Sequence, residues 1–247
     1  MLSAYNQTTF YLTYTPYNVI IWKVFTGGNQ KMKNIKKFTT VFMALVIILC
    51  SFSFAVYAED QSTYEEKNYV AAVYLCQKSQ PPYINGHTWL YFENLTNSTL
   101  TVGIYQLPKG QGVSVGTYGY LIKDGRGLYY NVEGYRYNHP KTDDFICLKK
   151  YLTQDQLDVM SSKITYSGTW LYLLNCSFSA ITTWDMVLGK FVPYLIFPIL
   201  VRMCILMYPQ HQSGFYLYSP KSNQIFKQVG RGSRATLVPA DPVVPKD

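Results

Sequence analysis

Residues 152–164, LTQDQLDVMSSKI, divide this chain into two kinds of sequence. Thr153 followed three residues later by Gln156 has the form of a capping box, and Leu152 and Leu157 fall at the staple positions on either side of it. These signals predict a helix that opens at Thr153.

Upstream of that helix the pattern is one of strands. HTWLYFE (87–93) alternates His87, Trp89, Tyr91 and Glu93 with Thr88, Leu90 and Phe92, which sets two faces at a period of two. TLTVGIYQL (99–107), GVSVGTYGYLI (112–122) and GLYYNVEGY (127–135) continue in β-branched and aromatic residues. They are separated by turn-rich residues 94–98, PKGQG (108–112) and KDGRG (123–127).

Downstream the spacing becomes helical. Ala180, Ile181, Trp184, Val187 and Leu188 recur at helix intervals behind Asn175 and Cys176, so Cys176 is expected at a helix start. KFVPYLIFPILVRMCILMYP (190–209) is apolar enough to suggest a membrane span, but Arg202 and prolines at 193, 198 and 209 oppose that. A buried helix from about Pro198 is expected instead. GFYLYSP (214–220) and NQIFKQVG (223–230) are expected to return to the sheet or cover it, and the tail from Arg231 is expected to be disordered. No internal repeat is visible. Strands followed by helices give an α+β fold built on a mostly antiparallel sheet.

The formal charge of +8 suggests a nucleic-acid partner until the lysines are located. Lys23, Lys31, Lys33, Lys36 and Lys37 all precede residue 59, whereas all 14 acidic residues follow residue 58. The remainder is close to balanced, and no stretch of it interleaves arginine with aromatics, so nucleic-acid binding is set aside.

Residues 32–58 have the parts of a secretory signal: a lysine-rich beginning, an apolar middle, and Val56 and Ala58 at the minus-three and minus-one places. Cleavage after Ala58 and export, to the medium or the cell wall, are expected. The alternative is retention by residues 38–58 as a membrane anchor, a stretch long enough to cross a bilayer. Lipidation at Cys50 is disfavoured by the bulky Leu49. The signal sits behind 31 residues, and Gly27-Gly28 can be encoded by a ribosome-binding purine run a few codons before Met32. Residues 1–31 are therefore expected to be a mis-annotated upstream extension. Residues 59–68 are expected to be a flexible linker before a domain spanning 69–230, with the disordered tail at 231–247.

Removing the signal leaves Cys76, Cys147, Cys176 and Cys204. Their spacings match no zinc or redox pattern, so no metal and no cofactor are expected. Cys76 and Cys147 lie in strand-like contexts where they either pair or pack, and Cys204 is expected in the core. Cys176 differs, because helix N-terminal amides favour a thiolate. A nucleophilic thiolate needs a base, and the chain has three histidines. His139 and His211 sit in polar loops, whereas His87 opens a strand at the edge of a rigid element. Glu133 and Asn175 are both candidates to orient its imidazole.

The segments GHTWLYFEN (86–94), VSVGTYG (113–119), GLYYNVE (127–133), LTQDQLDVMSSKI and NCSFSAITTW (175–184), in that order, resemble the secreted, circularly permuted papain-like proteins of the NlpC type. That group is distantly similar to the lecithin:retinol acyltransferases. The resemblance covers residues 69–230 and implies a permuted papain-like domain with Cys176 as nucleophile and His87 as general base, acting through a thioester. It further implies a secreted amide hydrolase or acyltransferase whose substrate is a peptide or other amide, such as a cell-wall peptide of peptidoglycan. An oxyanion hole is expected from helix-start amides, including that of Ser177. Two departures stand out. Members usually read Asn-Cys-Ser-Ser-Phe-Ala, whereas Phe178 here comes one place earlier, about 100° around the helix, and the segment after Trp184 is unusually apolar. A second functional class also stands: an inactive secreted binding or structural module on the same fold, suggested by the 24 tyrosines.

Overall fold

The computed structural model describes residues 10–13, 21–24, 68–80, 85–119, 124–137, 145–167, 175–189 and 198–241. The expected signal sequence at 32–58, nearly all of the expected linker, and His139 lie outside these residues. The chain divides into two units, residues 1–52 and 53–247. In the first, β1 (Phe10–Thr13) pairs antiparallel with β2 (Ile21–Val24), from Phe10 opposite Val24 to Thr13 opposite Ile21.

The second unit is α+β. Among the described residues its sheet has eight strands in the order β10 (Gln212–Ser213), β9 (Phe145–Leu152), β3 (Ala71–Gln80), β4 (Asn85–Asn94), β7 (Gly112–Tyr118), β8 (Gly127–Tyr130), β11 (Phe226–Val229) and β12 (Thr236–Pro239), every neighbouring pair antiparallel. Within it the long strand β3 runs against β4 on one side and β9 on the other. The alternation read in HTWLYFE separates the two faces, and both are covered. On one, Tyr74, Cys76, Trp89, Tyr91, Phe145 and Cys147 are buried beneath Phe215, Leu217 and Tyr218 of the returning segment. The other face carries Thr88, Leu90 and Phe92, with the helices packed against it; Thr88 Oγ1 and Ser177 Oγ hydrogen-bond across that boundary at 3.0 Å.

The first long helix, Gln154–Tyr166, begins as the sequence predicts. The Gln156 amide donates to Thr153 Oγ1 (3.4 Å), the Thr153 amide donates to Gln156 Oε1 (3.0 Å), and Leu152 and Leu157 are fully buried. Each buried leucine contributes about 1.5–3 kcal/mol, more than the cap's roughly 1 kcal/mol, so the staple fixes the helix on the sheet and the cap fixes its start. The next helix runs Cys176–Leu188 and the last Pro198–Met207, proline at its first position. Among the described residues no helix is long and apolar enough to cross a membrane.

Three expectations are corrected. TLTVGIYQL is a tight hairpin of β5 (Leu100–Val102) and β6 (Tyr105–Leu107), because Gly103, at φ 61°, takes the first central position of a two-residue turn. GLYYNVEGY stops being a strand at Tyr130, the end of β8 (Gly127–Tyr130). Asn131 turns left-handed there (φ 71°, ψ 4°) and starts the short helix α1 (Val132–Arg136). The tail from Arg231, expected to be disordered, instead supplies β12 (Thr236–Pro239). Its backbone groups find partners along β11 (Phe226–Val229), and its proline sits on the outermost strand. In chain order the three longer helices are α2, α3 and α4. The remaining strands are β7 (Gly112–Tyr118) and β10 (Gln212–Ser213).

Candidate active site

The strand β4 pairs with β7 only from Leu90 to Glu93, opposite Val115 to Gly112. Beyond Val115, β7 continues with β8 alone, so the two strands part ahead of Leu90. His87 lies in the part of β4 that β7 leaves. Trp89 stacks nearly parallel to its ring at 5.6 Å between centroids, and Tyr118 lies against it at 4.3 Å. Only 12% of the His87 side chain is exposed. The imidazole is therefore held by packing before any hydrogen bond is considered.

Glu133 reaches this ring because of the turn at Asn131. Without a left-handed residue there, GLYYNVE would continue as strand and Glu133 would fall at a sheet position. Asn131 is fixed by its own side-chain amide, which donates to the Tyr105 hydroxyl (3.2 Å) and to the Gln224 carbonyl (2.9 Å). Glu133 is consequently fully buried, with Oε1 2.8 Å from His87 Nε2. A buried carboxylate without a partner is costly, and removing the partner of a buried ion pair costs about 3–5 kcal/mol, so His87 and Glu133 depend on each other.

Because Nε2 faces Glu133, Nδ1 is the ring nitrogen left for Cys176, and each of these two side chains shifts the proton affinity of the other. Cys176 is the first residue of α3 and is buried. Burial raises its thiol's proton affinity, but His87, the Thr88 amide and the Ser177 hydroxyl favour the thiolate, and the net displacement is downward. For His87, burial disfavours the charged ring, while the charges and hydrogen bonds of Cys176 and Glu133 outweigh it and push the imidazole up to about 9. At neutral pH the imidazole carries its proton, and Cys176 is displaced toward its thiolate beside it. This is a charge-separated nucleophile with its proton donor in place.

Both expected residues are thus brought together with one of the two candidate orienting groups. Asn175 instead caps α3, where its Oδ1 accepts from the Ser177 and Phe178 amides at 3.1 and 3.3 Å. That engages the Ser177 amide expected to serve an oxyanion, whereas the cap does not take the amide of Cys176 itself. His211 bonds the Tyr208 carbonyl at the end of α4, through Nδ1 at 2.7 Å. Cys76 and Cys147 lie opposite each other across β3 and β9, and these two, Cys176 and Cys204 are all buried and outside any disulfide. Among the described residues no group of three or more His, Cys, Asp or Glu side chains could hold a metal ion.

Sequence reasoning missed Gly116. A Cβ there would stand 1.8 Å from Glu133 Oε1 and 3.0 Å from His87 Nε2, so only glycine leaves room for the carboxylate to meet the ring. A glycine inside a strand pattern is itself a sign of close approach. Comparison of the chain with family models, curated proteins and solved structures finds no match. The site's own geometry carries the functional reading.

Proposed function

We propose that the protein is a cysteine-dependent acyl-transfer enzyme, an amide hydrolase or acyltransferase, on a circularly permuted papain-like arrangement. The observation that carries this reading is the relay of Cys176 at a helix start, His87 beside it, and a fully buried Glu133 2.8 Å behind the imidazole. The Cys176 thiolate attacks an amide or ester carbonyl, forming a carbon–sulfur bond and a tetrahedral oxyanion. His87 then gives its proton to the departing amine or alkoxide as the old bond breaks, leaving a thioester. In the second half His87 takes a proton from water or another acceptor, which attacks the thioester and releases Cys176 as thiolate. The Cys176 amide, at the positive end of α3 and outside the Asn175 cap, is the backbone donor for the oxyanion in this reading.

The order of the Gly-His strand and the Asn-Cys helix supports the resemblance to the NlpC type, and with it a secreted enzyme whose substrate is a cell-wall peptide or a related amide. The rival reading, an inactive contact module, rested on abundant tyrosine. Tyr74, Tyr91, Tyr105, Tyr118, Tyr129 and Tyr130 are buried, so much of that tyrosine packs the interior rather than forming a contact face.

Incubating the protein with peptidoglycan fragments and model thioester-forming amides, then trapping with acid, tests the proposal. A mass increment on the Cys176 peptide in wild type, absent in C176S and H87A, is the expected result. Equal behaviour of all three proteins would exclude catalysis at this site.

A further inference from the structure

Glu133 presents only one of its two oxygens to His87. Oε2 is buried and has no completed hydrogen bond among the described residues, and the same is true of the Tyr118 hydroxyl. The Tyr118 ring packs at 4.3 Å on the same imidazole whose Nε2 meets Glu133 Oε1 at 2.8 Å, so the phenol and the carboxylate belong to one buried cluster. Two residues earlier on the same strand, Gly116 clears the space that the carboxylate occupies. A buried O–H donor and a buried anionic acceptor in one cluster can satisfy each other with a single charge-assisted bond. Each left alone carries a desolvation penalty.

We propose that the Tyr118 hydroxyl donates to Glu133 Oε2 and is the second anchor of that carboxylate, which makes Tyr118 a positioning residue for the Cys176 and His87 pair. This inference rests on the acyl-transfer reading above. The phenol is suited to the part. Burial, and then the charge of Glu133, push its proton affinity well above the ordinary tyrosine value, so it remains a donor wherever the thiolate–imidazolium pair exists. Other titratable or charged groups bear on the same cluster: Cys176 from α3, Arg136 and Tyr137 from α1 and just beyond it, Tyr129 from β8, and Lys78 of β3, opposite His87 in register. Arg136, 5.6 Å from the Tyr118 ring, acts against the rise in the phenol without reversing it.

The role predicts a particular failure. Without the hydroxyl, the buried carboxylate loses a hydrogen bond, is held less firmly against the ring, and supports the imidazolium less well. The experiment is the pH dependence of Cys176 carboxymethylation by iodoacetate, followed on the Cys176 peptide by mass spectrometry, in wild type, Y118F, E133Q, Y118F/E133Q and H87A. In wild type the profile is a bell whose alkaline limb lies near pH 9, because the anionic reagent reacts fastest with thiolate beside imidazolium. Y118F keeps the ring that packs on His87. It should move the alkaline limb to lower pH and reduce the rate at pH 8 by about three- to tenfold. E133Q should do the same more strongly, and Y118F should add nothing in the E133Q background, since both act through one carboxylate.

A Y118F profile that overlays wild type would overturn the proposal. So would a Y118F effect that persists undiminished in E133Q, which would mean that the hydroxyl acts elsewhere. In either case the acyl-transfer reading survives provided wild type and H87A differ. If those two label alike, both readings fall together.

Discussion

Cys76 and Cys176 are both buried free thiols in one domain, and they are driven in opposite directions. Cys76 lies in the middle of β3 with Cys147 directly across the ladder, among Tyr74, Trp89, Tyr91 and Phe145. Burial pushes its thiol well above the ordinary value, and neighbouring Cys147 adds to the rise. Cys176 is desolvated too, yet its net displacement is downward. The difference lies in what the sulfur meets: another thiol in an aromatic cluster, or an imidazolium with two further donors at a helix start. Burial by itself suppresses a thiolate, and a buried thiolate exists only where positive charge and donors are arranged around it.

The largest effect that breaks the contrast is expected from H87A. Removing the imidazole leaves Cys176 desolvated like Cys76. Even an ordinary thiol is only a few per cent ionised at pH 7, so carboxymethylation of Cys176 should fall by about tenfold or more. Cys76 in the native protein should remain unlabelled from pH 6 to 9 with or without His87, and react only in denaturant.

G116A comes next, because the new Cβ would meet Glu133 Oε1 at 1.8 Å and the carboxylate must move. A loss of about 1–3 kcal/mol in denaturant unfolding is expected, with Cys176 labelling at pH 8 reduced toward the E133Q level. If G116A labelled like wild type, the carboxylate would not be what supports the imidazolium. The smallest effect belongs to T153A. Loss of the α2 cap should cost about 1 kcal/mol of stability while leaving the native labelling rate of Cys176 unchanged, which separates fold stability from site chemistry.

The same contrast shows what a sequence can disclose. The α2 start was legible because a capping box and a staple are local, and so was Cys176 at the head of α3, where Asn175 announces the cap. That these segments belong to an α+β fold followed from their order. His87 was distinguishable from His139 and His211 only by standing at the edge of a strand.

Glu133 could not be separated from Asn175. Its position depends on Asn131 turning left-handed, and that turn is held by Tyr105 and Gln224, the latter 93 residues away. The parting of β4 from β7, which makes room for the imidazole, is likewise a matter of register and not of composition. β12 was missed because a proline-bearing tail reads as loose until a partner strand offers it hydrogen bonds. Gly116 was in view, in VSVGTYG, as a glycine inside a strand, but its neighbour across the gap comes from a different element.

Titration of the His87 ring by imidazole NMR tests the central claim most directly. The ring should be protonated at pH 7.5 and lose its proton near pH 9, and in C176S that midpoint should drop as the thiolate is removed. A His87 that titrates near the ordinary histidine value of about 6.5, and is indifferent to C176S, would contradict the charge-separated pair on which the chemistry rests.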